Sequence, residues 1–138
     1  MARFTGGCFC GAVRFEAAAD PLVTRICLCR DCQHLTGGAG SVLAFFATDA
    51  VKIEGRTGDY ASPAASGVVM HREFCPSCGA PLFSRAEARP HLIGIRVGSL
   101  DDPSSVRPDS IIWTDSAPGW MRLDPDLPQT PRQPPPLK

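Results

Sequence analysis

Apolar and polar residues alternate in short runs along most of the chain, with a period of two rather than 3.6. The clearest run is Ala12-Val13-Arg14-Phe15-Glu16-Ala17, which gives an extended segment one buried and one wet face. Similar runs rich in β-branched and aromatic residues predict strands at Leu22–Cys27, Ser41–Ala47, Ala50–Glu54, Gly67–Phe74, Pro81–Ser84, Leu92–Val97 and Ser110–Thr114. Turn chemistry separates them at Glu54-Gly55, at Thr57-Gly58-Asp59 and through Gly98-Ser99-Leu100-Asp101-Asp102-Pro103. No window carries a helical period of useful length. Arg30–Gly38 has room for a turn or two before Gly37-Gly38 stops it. The pattern predicts a small all-β body of many short antiparallel strands, a sandwich or barrel-like arrangement.

The C-terminal stretch breaks the pattern. Seven of the 14 prolines lie between Pro118 and Pro136. Proline cannot donate to a sheet ladder, so the segment is predicted to stay out of the sheet, polyproline-like or disordered. The expected organisation is one domain over residues 1–124 and a proline-rich tail over 125–138. A solvated extension is the simpler reading of that tail, and a ligand for a proline-binding module the sharper one.

Composition narrows the class. Hydrophobic residues make up 43% of the chain, enough for a core that metals or cross-links would assist rather than replace. The 14 basic and 14 acidic residues cancel, and no Lys/Arg block occurs, so nothing marks a nucleic-acid or anionic-membrane surface. No apolar run approaches the roughly 20 residues of a transmembrane helix. Met1–Gly11 holds no apolar segment of a secretion signal, so a soluble protein of a reducing cytoplasm is expected.

The chemistry is in the cysteines. Seven of them form three clusters: Cys8-Phe9-Cys10, Cys27-Leu28-Cys29-Arg30-Asp31-Cys32, and Cys75-Pro76-Ser77-Cys78-Gly79. The count is odd, and cysteines separated by one residue pair poorly with each other, whereas both can chelate one metal. Thiolate donors favour zinc over magnesium or calcium, with an iron–sulfur centre compatible in softness. Cys75 and Cys78 supply half of a four-thiolate site, with Gly79 able to take the positive φ that closes the turn; Cys8 and Cys10 are the natural other half. That pairing would clip the N-terminal strand to the middle of the sheet.

Cys27, Cys29 and Cys32 remain. As three thiolates they leave one coordination position open, the arrangement of a catalytic zinc; with His34 as fourth ligand they would make a second structural site. Three thiolates over-neutralise a divalent ion, so the site suits a soft sulfur ligand better than hydrolytic water. A fourth thiolate would need nearby cations, for which Arg30, His34 and Arg72 are candidates. His71 alternates with its neighbours as a structural residue would, and His91 beside Pro90 belongs to a solvated loop.

At these residues the chain resembles the glutathione-dependent formaldehyde-activating enzyme family, which includes centromere protein V. The matching pieces are Gly6-Gly7-Cys8-Phe9-Cys10-Gly11-Ala12-Val13-Arg14-Phe15, the run from Cys27 to Gly37, the run from Phe74 to Phe83, and Gly98-Ser99-Leu100-Asp101-Asp102. Ile112-Trp113, Asp115-Ser116 and Trp120 follow the family's C-terminal pattern. The resemblance implies a β-tent fold and two zinc ions per chain. Cys8, Cys10, Cys75 and Cys78 would be structural ligands, and Cys27, Cys29 and Cys32 the open catalytic site. It also implies a carbon–sulfur lyase that joins a small thiol such as glutathione to formaldehyde or a related small aldehyde. Leu28 and His34 depart from the family pattern without removing a ligand. The rival classes are a non-catalytic zinc module that binds a protein partner, distinguished by a buried, ligating His34, and a redox enzyme of the B-type methionine sulfoxide reductase kind. No cysteine outside the clusters is left to serve the last as a free nucleophile.

Overall fold

The computed structural model describes residues 3–138, and the alternating runs of the sequence become strands in it. In chain order these are β1 (Phe4–Gly7), β2 (Arg14–Ala17), β3 (Val23–Cys27), β4 (Ser41–Ala47), β5 (Val51–Glu54), β6 (Gly58–Pro63), β7 (Val69–Phe74), β8 (Pro81–Ala86), β9 (Leu92–Arg96), β10 (Ser110–Ile112) and β11 (Gln129–Thr130). The one α-helix among the described residues, α1 (Arg30–Thr36), fills the window where a turn or two was expected. Gly37 ends it in the left-handed conformation, φ +71°, with its N–H on the Gln33 carbonyl.

Two sheets result, a three-stranded one ordered β1-β2-β5 and an eight-stranded one ordered β11-β10-β3-β4-β9-β8-β7-β6. Period-two alternation sets their relation. Ala44, Phe46, Ile93, Ile95 and Phe83 on one face of the large sheet pack with Val13, Phe15 and Ala17 of the small one. Two edge-to-face aromatic pairs span the join, Phe15 with Phe83 at 5.5 Å and Phe4 with Phe46 at 5.7 Å. The opposite face of the large sheet is left for Arg25, Leu43, Phe45, Arg72 and Arg96. In register, Arg25 pairs with Leu43 and Leu43 with Arg96, which puts two arginines in one row across three strands.

Three expectations need correction. The strands are not all antiparallel: β10 pairs parallel with both β3 and β11. The tail does enter the sheet, because Gln129-Thr130 is a proline-free pair between Pro128 and Pro131 and the Pro128 carbonyl still accepts from the Ile111 N–H, at 2.9 Å. Gly58, read as a turn residue, begins β6 instead. A Cβ there would stand 2.6 Å from the Phe74 ring, so glycine is what lets this edge strand lie against β7. β1 was equally hidden by its two glycines, and a Cβ on Gly6 would meet the Ser99 carbonyl at 2.3 Å. Among the described residues no helix is long and apolar enough to cross a membrane.

Candidate metal centres and the arginine-lined pocket

Two turns build the first cluster. After β1, the Cys8 N–H bonds the Val13 carbonyl (3.0 Å) and the Gly11 N–H returns to the Cys8 carbonyl (3.3 Å), with Gly11 at φ +84°. After β7, the Cys75 N–H bonds the Ala80 carbonyl (3.0 Å) and the Gly79 N–H bonds the Cys75 carbonyl (2.8 Å), with Gly79 at φ +78° as the turn demands. The ligand atoms of Cys8, Cys10, Cys75 and Cys78 lie within 4.8 Å of one another. Cys10 Sγ is 3.7 Å from both Cys8 Sγ and Cys75 Sγ. A disulfide would need about 2.05 Å. A tetrahedral ion with sulfur at about 2.3 Å gives sulfur–sulfur edges of about 3.8 Å, so the spacing fits a metal.

Backbone N–H groups already favour ionised sulfur here. Val13 donates to Cys8 Sγ at 3.2 Å, and Ser77 and Cys78 donate to Cys75 Sγ at 3.4 Å. Burial raises the Cys8 pKa, but the Val13 N–H and the sulfurs of Cys10, Cys75 and Cys78 outweigh it and bring the thiol down to about 6. The cluster does not reach the middle of the large sheet, as the sequence suggested. It joins the β1–β2 turn of the small sheet to the β7–β8 turn near the edge of the large one.

The second cluster forms where β3 runs into α1. Cys27 ends the strand, Cys29 is the helix N-cap, and Cys32 lies in the first turn, its N–H donating to Cys29 Sγ at 3.3 Å. The three sulfurs lie within 4.8 Å of one another. Gln33 holds the helix in place through Nε2, which donates to the Leu28 carbonyl (3.0 Å) and the Ser116 carbonyl (2.9 Å). The Cys27 and Cys32 sulfurs, with the N–H groups of Cys32 and Asp31, hold the Cys29 thiol down at about 2 against burial. Contact with Cys29 and Cys32, with burial, pushes Cys27 up.

The surroundings distinguish the clusters. Cys27, Cys29 and Cys32 line a cavity of about 370 Å³, and none of the other four cysteines does. Five arginines line the same cavity, Arg25, Arg30, Arg72, Arg89 and Arg96, against one carboxylate, Asp31. Asp31 pairs with Arg72 at 3.6 Å, and Arg72 also donates to Ser62 Oγ at 2.6 Å. Arg96 is only 6% exposed; it donates to Ser41 Oγ, and its Nε–H has no partner. Burial lowers its pKa, opposed by the neighbouring Cys32 and Cys27 sulfurs. A buried guanidinium without a carboxylate is costly unless other negative charge answers it. Here the facing groups are the cysteine sulfurs, which become negative when they hold a metal as thiolates.

Of the cations expected near this site, Arg30 and Arg72 line the pocket and His34 does not. His34 is exposed, outside the sulfur cluster, with Nε2 3.4 Å from Arg30. Leu28 is buried (1% exposed) and does not line the pocket either. His71 lies away from the pocket, its ring nitrogens 2.6 Å from Asp59 and 2.9 Å from Glu87, and His91 is exposed in the turn before β9. The sequence reading missed Arg25, Arg89 and Arg96. For Arg96 a signal existed, a charge closing the apolar run Leu92-Ile93-Gly94-Ile95, but only strand register shows which face it takes.

No curated protein matches the chain significantly. Among solved structures, a crystal structure of a Rhodobacter sphaeroides protein is similar over 75% of this chain and 91% of its own, with a TM-score of 0.54 and 23% identity, a likeness of fold. The model of the glutathione-dependent formaldehyde-activating enzyme matches residues 3–116, a span holding all seven cysteines and ten of the strands, and the chain belongs to that family.

Proposed function

We propose that this protein is a zinc-dependent carbon–sulfur lyase that joins a thiol such as glutathione to formaldehyde or a related small aldehyde. The observation that carries the reading is a three-cysteine cluster opening into a cavity whose charged lining is five arginines and one aspartate. Cys8, Cys10, Cys75 and Cys78 would hold a closed structural zinc, and Cys27, Cys29 and Cys32 a second zinc. Cys27, Cys29 and Cys32 would leave that ion an open position, where a substrate thiol would ionise near neutral pH.

The chain's own residues do the rest. Arg96 and Arg72 offset the negative charge that three thiolates gather, so a fourth sulfur anion meets less repulsion. Arg25, Arg30 and Arg89 offer guanidinium groups to substrate carboxylates, which arginine binds in bidentate fashion. Asp31, the one lining carboxylate, is paired with Arg72 and helps hold that guanidinium in place. The reaction is an addition without oxidation or reduction. The thiol sulfur forms a bond to the carbonyl carbon, the carbonyl π bond breaks, and the thiol's proton ends on the oxygen. His34 lies outside the three-sulfur group, which supports an open position over a purely structural second site. The test is turnover: mixing glutathione and formaldehyde with the zinc-loaded protein should speed adduct formation over buffer, and Cys29→Ser should abolish the acceleration.

A further inference from the structure

The family match ends at residue 116, yet Gln133, Pro136 and Leu137 line the same cavity as the cysteines. The segment that brings them there is tied down as far as Gln133. β11 runs parallel to β10, the Trp113 N–H reaches the Arg132 carbonyl (3.4 Å), and the Asp115 N–H reaches the Pro131 carbonyl (3.1 Å). Trp113 Nε1 donates to Gln133 Oε1 at 3.0 Å, and Arg132 lies 3.5 Å from Asp115. Trp113 itself sits at φ +60°, the one non-glycine at positive φ among the described residues, and packs against Cys27, Cys32 and Ile112. Such a conformation persists only where its surroundings over-determine it. The tryptophan is thus fixed between the sulfur cluster and the tail.

The cavity that this segment helps line carries apolar side chains that the reaction's simplest substrates do not call for. Leu43, Phe45, Met70 and Leu92 face it from the sheet, and Leu137, half-buried, faces it from the tail. Formaldehyde carries no substituent, and glutathione is mostly amide and carboxylate. Neither covers an apolar wall.

We propose that Gln133, Pro136 and Leu137 form a specificity-determining wall that favours a carbonyl partner carrying a short alkyl or aryl substituent over formaldehyde. The inference rests on the thiol–aldehyde reading above. The bond changes are the same: one carbon–sulfur bond forms, and the thiol's proton ends on the carbonyl oxygen.

The experiment compares the full zinc-loaded chain with Leu137→Ser and with a chain ending at Arg132, which keeps β11. Initial rates are measured with glutathione against formaldehyde and against butanal. Affinity for the anionic apolar dye 8-anilinonaphthalene-1-sulfonate is measured by fluorescence without any reaction. The full chain should prefer butanal. In both altered chains the butanal-to-formaldehyde ratio of kcat/KM should fall roughly tenfold, the scale of losing one good apolar contact, and the dye should bind more weakly. Turnover of both aldehydes with an unchanged ratio overturns the wall, as does equal dye affinity in all three chains. Turnover of neither aldehyde by any of the chains overturns the thiol–aldehyde reading instead, and the carbonyl partner with it.

Discussion

Arg96 shows how a single side chain ties the fold to the chemistry. It ends β9, is closed off from solvent and has cysteine sulfurs where a carboxylate would usually stand. Removing it should leave the negative charge that Cys27 and Cys32 carry as metal-bound thiolates unanswered. Arg96→Met, close in size, should weaken metal binding at that cluster by roughly 10–100-fold, the usual cost of losing a group that supports metal ligands. Chelator competition measures this. Unchanged affinity would mean that the guanidinium serves packing alone. Cys29→Ser should go further and lose the second metal and all thiol binding. Its melting should stay close to that of the parent, because the core between the sheets and the first cluster are untouched.

Among the elements, the two cysteine turns would fasten one sheet to the other if they hold the structural zinc proposed above. Structural zinc contributes about 10–16 kcal/mol in small domains, which matches or exceeds the about 5–15 kcal/mol that keeps a whole domain folded. Cys78→Ala should therefore unfold or aggregate the protein, and a cooperative, well-folded variant by circular dichroism would remove the structural assignment. A second brace depends on pH. Asp59 on β6 and Glu87 just beyond β8 hold the His71 imidazole of β7 between them and raise its pKa above the ordinary 6.5. The folded state binds that proton more tightly than the unfolded one. Its stabilisation is complete below about 6.5 and is lost as pH rises through the raised folded value. His71→Gln should flatten the fall in melting temperature across that window. An identical slope in parent and variant would show that the brace carries no stability.

The strands legible in the sequence are those whose own residues carry the signal, by alternation in β2 and by a β-branched and aromatic run in β4. Those it hid depend on partners distant in the chain. Gly58 enters a strand because Phe74 lies over it, and Gln129-Thr130 because β10 offers a parallel edge. The cysteine grouping was legible for a different reason: chelation needs short local spacings, and these survive in the linear order. The arginine lining does not, because Arg25, Arg72, Arg89 and Arg96 meet only through sheet register and turns.

At the scale of the whole molecule, the proposed function divides the work between two metal sites, one closed and one open to an arginine-lined cavity. Mild chelation should then remove one metal of two, the one held by Cys27, Cys29 and Cys32. The most direct test of the central claim replaces zinc by cobalt and adds glutathione or its serine analogue. A thiol that reaches the open site binds as thiolate and releases its proton. Glutathione should change the sulfur-to-cobalt charge-transfer absorption, and its affinity should rise with pH until the free thiol is itself ionised; the serine analogue should bind far more weakly. Equal binding of the two with no spectral change would contradict the account, because the ligand would then be held by the arginines without its sulfur meeting the metal.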